Sequence, residues 1–266
     1  MFQTLKVVSL LSENSDSTCR QITQYLSQQL DIATDFIDNI DWRERHKLLD
    51  TQQVHLAWIC GIDYVRKIDS KISPVDLVAA PVMKHPRYQQ QPIYFSDVIV
   101  HRDSQYNAFE DLRGKSWGYN DVGSHSGYNL VQYHLAKLGE TQGYFGKVIE
   151  AGTHLQAIEM VLEHRVDAAA IDSMVLDLEL ATKPQLQSKL RTIETLGPSP
   201  IPPWVITRNV PSALRESISQ AFWNMHQTPE GRSILAPEQM MKMVQVEDSN
   251  YDLIRDMKRV ANQVVL

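Results

Sequence analysis

The stretch KSWGYNDVGSHSGYNL, Lys115 to Leu130, poses the question on which the fold turns. A short strand-like run, SWGYN, gives way to a loop crowded with two glycines, two serines and a histidine. GYNLVQYHLAKLG, residues 127–139, then carries apolar residues at helical spacing and stops at Gly139. Strand, small-residue loop and helix start are the parts of an anion cradle. The first helical turn leaves N–H groups without intrahelical partners, and the helix dipole adds partial positive charge at the same point. A serine in that turn can also do no more than cap its own helix. Both readings stand at the level of this one motif.

Outward from this stretch, strand-like and helix-like segments alternate along most of the chain. LKVVSLL, IATDFIDN, VHLAWICG, LVAAPVM, PIYFSDVIVHRD, KVIEAGT, DAAAIDS, LRTIETLG and VITRNV read as strands. STCRQITQYLSQQL, DWRERHKLLDTQQ, FEDLRGK, HLQAIEMVLEHR and MVLDLELA read as helices. From SALRESISQAFWNMH onward helices occupy most of the remainder. Such alternation implies mostly parallel sheets covered by helices. The long run from Tyr94 to Arg102 and the proline-rich stretch at 198–203 read as passages between two lobes. The expected division is 1–101 for the first part of lobe I, 102–200 for lobe II, and 201–266 for the return to lobe I with the C-terminal helices. Ligand is expected in the cleft, where strand carboxyl ends and helix N-termini meet.

Composition narrows the function classes. The 266 residues include 26 Lys and Arg against 32 Asp and Glu, a formal net charge of −6. Nucleic-acid binders carry a concentrated basic footprint that this chain lacks, so no nucleic-acid partner is expected. No apolar run is long enough to span a membrane. The N-terminal MFQTLKVVSLLSENSDS has neither the basic segment nor the cleavage site of an export signal. As written the chain reads as cytoplasmic, and as periplasmic if a leader has been removed. Cys19 and Cys60 read as packing residues, with a single bridge left open. The nine histidines contain no HxxxH or HExxH pair, and no metal is expected. GSHSG fails as a nucleophile elbow because its centre is His125 rather than serine.

The motifs together carry a resemblance. YFSDVIVHRDS…FEDLRGKSWGYNDVGSHSGYNL, then AGTHLQAIEMVLEHRVDAAAIDS, flanked by HLAWICGIDYV and PSPIPPWVITRNVPSALRESI, is similar in order and spacing to the PhnD-like phosphate-, phosphite- and phosphonate-binding proteins of ABC importers. The resemblance covers roughly residues 5 to 235. It implies an α/β type II periplasmic-binding fold of two lobes, each a mostly parallel sheet flanked by helices, joined by two hinge crossings. It also implies a non-catalytic role: holding a small oxyanion, phosphonate or phosphite, with an ABC permease as partner and no cofactor.

Carried over by position, the first helix-start site falls on Ser124, His125, Ser126 and Gly127, and the second on Thr153 and His154. Tyr94 matches a tyrosine at the lobe crossing, and Asp172 an acidic position that can face a ligand ammonium. Trp58 and Tyr64 are read as aromatic walls, although either can equally be core packing. The family often has Ser or Thr where this chain has His125, and a hydroxyl where it has Ala157. Trp204 is read as packing, Asp63 as a turn residue, and the charge run WRERHK, 42–47, as a solvated helix face. Two other readings remain: a sensor reporting anion levels to a partner, and an enzyme on the same fold resembling pyrimidine-precursor synthases.

Overall fold

The computed structural model describes residues 3–71 and 75–266. Met1 and Phe2, which begin the stretch read against an export signal, lie outside the described residues. The chain divides into two compact units, Met1–Ile93 with Pro200–Asp252, and Tyr94–Ser199 with Leu253–Leu266. The second unit therefore begins at Tyr94, ahead of the boundary at 101/102 expected from sequence, and it also takes the last fourteen residues.

In the first unit the elements are β1 (Thr4–Ser9), α1 (Asp16–Leu30), β2 (Ala33–Phe36), α2 (Trp42–Asp50), β3 (Leu56–Trp58), α3 (Gly61–Ser70) and β4 (Val75–Met83). In the second they are β5 (Ile93–His101), β6 (Ser116–Tyr119), α4 (Leu130–Lys137), β7 (Lys147–Glu150), α5 (His154–Leu162), β8 (Ala168–Asp172), α6 (Ser173–Thr182) and β9 (Leu190–Pro200). The chain then returns through β10 (Trp204–Thr207), α7 (Ser212–Asn224), α8 (Pro229–Leu235) and β11 (Met240–Val244) before α9 (Asp252–Ala261).

The first sheet has the order β11-β4-β10-β3-β1-β2. Its β2-β1-β3 part is parallel, and the returning β10 and β11 are antiparallel to their neighbours. α3 and β11 escape the sequence reading. β11 lies in the tail read as mostly helix, where its run MMKMV offers no alternation between apolar and polar residues. WRERHK is corrected as well. Arg45 is buried, its guanidinium bonding the carbonyls of Ser9 (3.1 Å), Asp38 (2.7 Å) and Ile40 (3.3 Å) and both oxygens of Asp16. Only its neighbours on α2 form a solvated face.

The second sheet has the order β7-β6-β8-β5-β9, with β6 parallel to β7 and β8, and β5 antiparallel to β8. Side chains alternate across a strand, and β8 shows what that alternation does. Ala168 and Ala170 join a core cluster with Trp117, Phe109 and Leu130, whereas Ala169 and Ile171 join one with Ala157, Ile158 and Leu176. The central strand thus packs both faces, and its small residues let helices approach closely.

The terminal helix is a correction too. Met257 and Val264 sit in the Trp117 cluster of the second unit rather than on the first lobe. Val264 O accepts from Gln132 Nε2 (2.6 Å), and Val265 N donates to Thr141 O (2.9 Å). Neither cysteine forms a disulfide; Cys19 is fully buried and Cys60 partly so.

Candidate functional site

Because β6, β7 and β8 run parallel, the helices that follow them all begin at one edge of the second unit's sheet. Such an edge gathers unpaired N–H groups and helix dipoles. Three residues cap the three starts. Ser124 Oγ accepts from Gly127 N (3.1 Å), Thr153 Oγ1 from Gln156 N (3.1 Å), and Asp172 Oδ1 from Met174 N (2.8 Å). The capping reading of the serine is therefore realised, yet it does not compete with ligand binding. A hydroxyl oxygen that accepts a cap bond still has its own hydrogen to donate.

The loops are held in register with one another. Gly123 N donates to Asp121 Oδ1 (2.6 Å) and Ser124 N to Asp121 O (3.0 Å), which turns the chain into the helix start. Gly152 N donates to Asn120 O (2.8 Å) and Ala151 N to Tyr119 O (2.7 Å), tying the loop after β7 to the loop after β6. Gly152 adopts φ +92°, a left-handed conformation that glycine reaches without steric cost. The first helix opens with one wide π turn, His125–Asn129, before α4. Gly127 lies in it because a β-carbon there would collide with Asn120 Oδ1 and sit 3.3 Å from His154 Cε1.

Ser126 and His154 bridge two of the helix starts. Ser126 Oγ lies 3.1 Å from His154 Nε2, and Ser126 O accepts from Ser96 Oγ of β5 at 2.9 Å. His154 is only 8% exposed, and burial drives its pKa down to about 4, so the imidazole is neutral at physiological pH. Asp172, 7% exposed, moves the other way. Burial pushes its carboxyl up to about 7, against the lowering effect of the backbone N–H groups of Met174 and Val175. None of the side chains named at this edge is a lysine or arginine, so an anion here meets backbone and hydroxyl dipoles rather than a counter-charge.

His125 is anchored within the unit. It is fully buried, with Nε2 2.7 Å from Ser199 Oγ and Nδ1 3.0 Å from Asn129 Nδ2. Both ring nitrogens are used inside the unit, so the imidazole is an internal strut for the loop. Tyr94 is fully buried with its ring 6.3 Å from that of His125.

Trp58 and Tyr64, read as aromatic walls or core packing, belong to the first unit and are buried there. Trp58 stacks on Trp204 (5.5 Å, 11°) and donates Nε1–H to Pro202 O (3.0 Å). Tyr64 donates its hydroxyl to Asp248 Oδ1 (2.9 Å) and lies 4.8 Å from the Tyr251 ring. Asp63 stands in the first turn of α3 and pairs with Arg66. The residue the sequence reading passed over is Asn120, whose amide reaches the same spot as Gly127 and His154. A small polar residue at the carboxyl end of a parallel strand was the available signal.

Among the described residues there is no group of three or more His, Cys, Asp or Glu that could hold a metal ion. No described helix is long and apolar enough to cross a membrane.

The profile of the family described as ABC transporter, phosphonate, periplasmic substrate-binding protein matches residues 9–251. The chain belongs to this family. Its members are substrate-binding proteins, not enzymes. The phosphonates-binding periplasmic protein of Escherichia coli (strain K12) is 27% identical over 193 residues, covering 69% of this chain; the chain spans about half the length of that relative, 54%. Among solved structures, PhnD1 from Prochlorococcus marinus, determined in complex with methylphosphonate, superposes with a TM-score of 0.85 at 19% identity, covering 98% of this chain and 99% of that one. A binding-protein component of an ABC phosphonate transporter from Pseudomonas aeruginosa also gives 0.85, at 20% identity, with 98% of this chain and 87% of that one covered. The fold is the type II periplasmic-binding fold that the family resemblance implies.

Proposed function

We propose that the chain is the solute-binding component of an ABC importer. It holds a small phosphonate-type oxyanion at the helix starts of the second unit and hands it, unchanged, to a membrane permease in the periplasm. The observation that carries this reading is the joining of two helix starts by the Ser126 Oγ to His154 Nε2 bond, beside the caps Ser124 and Thr153. Ser124, Ser126 and Thr153 hydroxyls and backbone N–H groups of both first turns are the proposed donors. Asp172 is proposed to face the ammonium of an aminoalkyl ligand. Family membership supports a binding role over the enzyme reading.

The test is isothermal titration of the ligand-free protein with methylphosphonate, phosphite, 2-aminoethylphosphonate and sulfate, repeated on Ser126→Ala. Removing a hydroxyl that donates to a charged oxygen costs about 1.5–3 kcal/mol, so the variant binds its preferred ligand roughly ten- to hundredfold more weakly. Unchanged affinity in Ser126→Ala, or no binding of any of the four, would overturn the assignment.

A further inference from the structure

Two polar atoms at this edge have no hydrogen-bond partner. Asn120 Oδ1 is buried without one, and so is His154 Nδ1. They belong to neighbouring groups. The point where a β-carbon on Gly127 would stand is 3.1 Å from Asn120 Cγ and 3.3 Å from His154 Cε1. Asn120 is not loose, since its carbonyl receives Gly152 N at 2.8 Å. Buried polar atoms are nearly always paired, so each orphan asks what completes it.

The chemistry of the two atoms narrows the answer. An amide oxygen only accepts, and an imidazole that donates Nε2–H to Ser126 Oγ has a bare, accepting Nδ1. In that tautomer the hydrogen of Ser126 is released toward a ligand oxygen. The edge thus offers hydroxyl and backbone donors together with two unfilled acceptors. An acceptor set against a fully ionised oxygen repels it, whereas an oxygen that carries hydrogen satisfies it. Gly127 fits the same picture, since any side chain there would displace the Asn120 amide oxygen.

We propose that the ligand is bound as a singly protonated oxyanion whose O–H is received by Asn120 Oδ1, with His154 as the adjacent neutral acceptor. Asn120 is then a specificity residue that excludes anions without a proton to give. The inference rests on the anion site proposed above and says which charge state that site takes.

The experiment compares methylphosphonate with methanesulfonate, a monoanion of the same shape with no O–H, by calorimetry from pH 6 to pH 9. Wild type, Asn120→Leu and Asn120→Ala are measured, the second variant guarding against a fold defect in the first. In wild type, methylphosphonate affinity falls about tenfold per pH unit above the ligand's second ionisation, as loss of one required proton demands, and methanesulfonate binds at least about tenfold more weakly at pH 6. Both variants narrow that preference by weakening methylphosphonate and not the sulfonate. The protein's own acidic and imidazole groups at this edge are Asp121 in the loop, His154 on α5 and Asp172 on β8; a pH dependence that changes the affinity of both anions together overturns the proposal. Equal binding of the two anions, or a preference untouched by either variant, overturns it while leaving the anion site standing. Binding of neither anion at any pH removes the site and the inference with it.

Discussion

Replacing Asp172 with asparagine tests the electrostatics of the site most directly. The carboxyl caps α6 through Oδ1, and an amide oxygen does the same work, so Asp172→Asn keeps the bond to Met174 N while deleting the charge. Burial raises the folded-state pKa from 3.8 to about 7. The sign follows from which state holds the proton. Between those two values the folded chain keeps a proton that the unfolded chain has released, so stability falls as pH rises from about 4 through about 7 and then levels. A shift from 3.8 to about 7 corresponds to an upper bound of about 4 kcal/mol at pH 8, of which roughly 2–3 kcal/mol accrues between pH 5 and pH 8. Asp172→Asn is therefore expected to be more stable than wild type at pH 8 and nearly level with it at pH 4. Urea unfolding of both proteins across this range reads the difference. Equal stability at pH 8, or an unchanged pH slope, would refute the claim that a desolvated carboxyl is held there at a cost. Retaining such a group is what a ligand-binding role would demand, and the same variant should lose any preference for 2-aminoethylphosphonate over methylphosphonate.

Two further outcomes are expected. Glu238, buried in the first unit beside Thr18, has its carboxyl pushed by burial from 4.5 to about 7, so Glu238→Gln should add up to about 3 kcal/mol at pH 8 and little at pH 4, measured by the same denaturation series and additive with Asp172→Asn. His125→Ala should cost about 2–4 kcal/mol in thermal or urea unfolding, because it opens a cavity and strips the partners from Ser199 and Asn129; a change below 1 kcal/mol would contradict its role as an internal strut.

Much of the fold was legible in order of elements. The alternation of apolar strand and amphipathic helix from LKVVSLL to LRTIETLG places β1 to β9 and most of the helices within a few residues of where they form. The misses share a cause. α3 follows a turn without a distinct sequence break, β11 lacks alternation, and α9 could pack on either unit as far as its own pattern tells. Local sequence states that a helix has an apolar stripe, but its partner is decided by complementary surfaces far away in the chain.

The site divides along the same line. From the chain alone came the small-residue loops, a capping role open to a serine of the first of them, and the family to which their order belongs, because capping and turn chemistry are local and written in residue type. Tertiary structure decided which of those residues face the same point. It turned His125 inward to Ser199 and Asn129, put Trp58 and Tyr64 into the core of the first unit, and brought Ser126 within 3.1 Å of His154, a residue 28 positions later in the chain. It also set the Asn120 amide against Gly127. Direction and distance between residues remote in sequence are properties of the packed strands that carry them, and no local pattern encodes them.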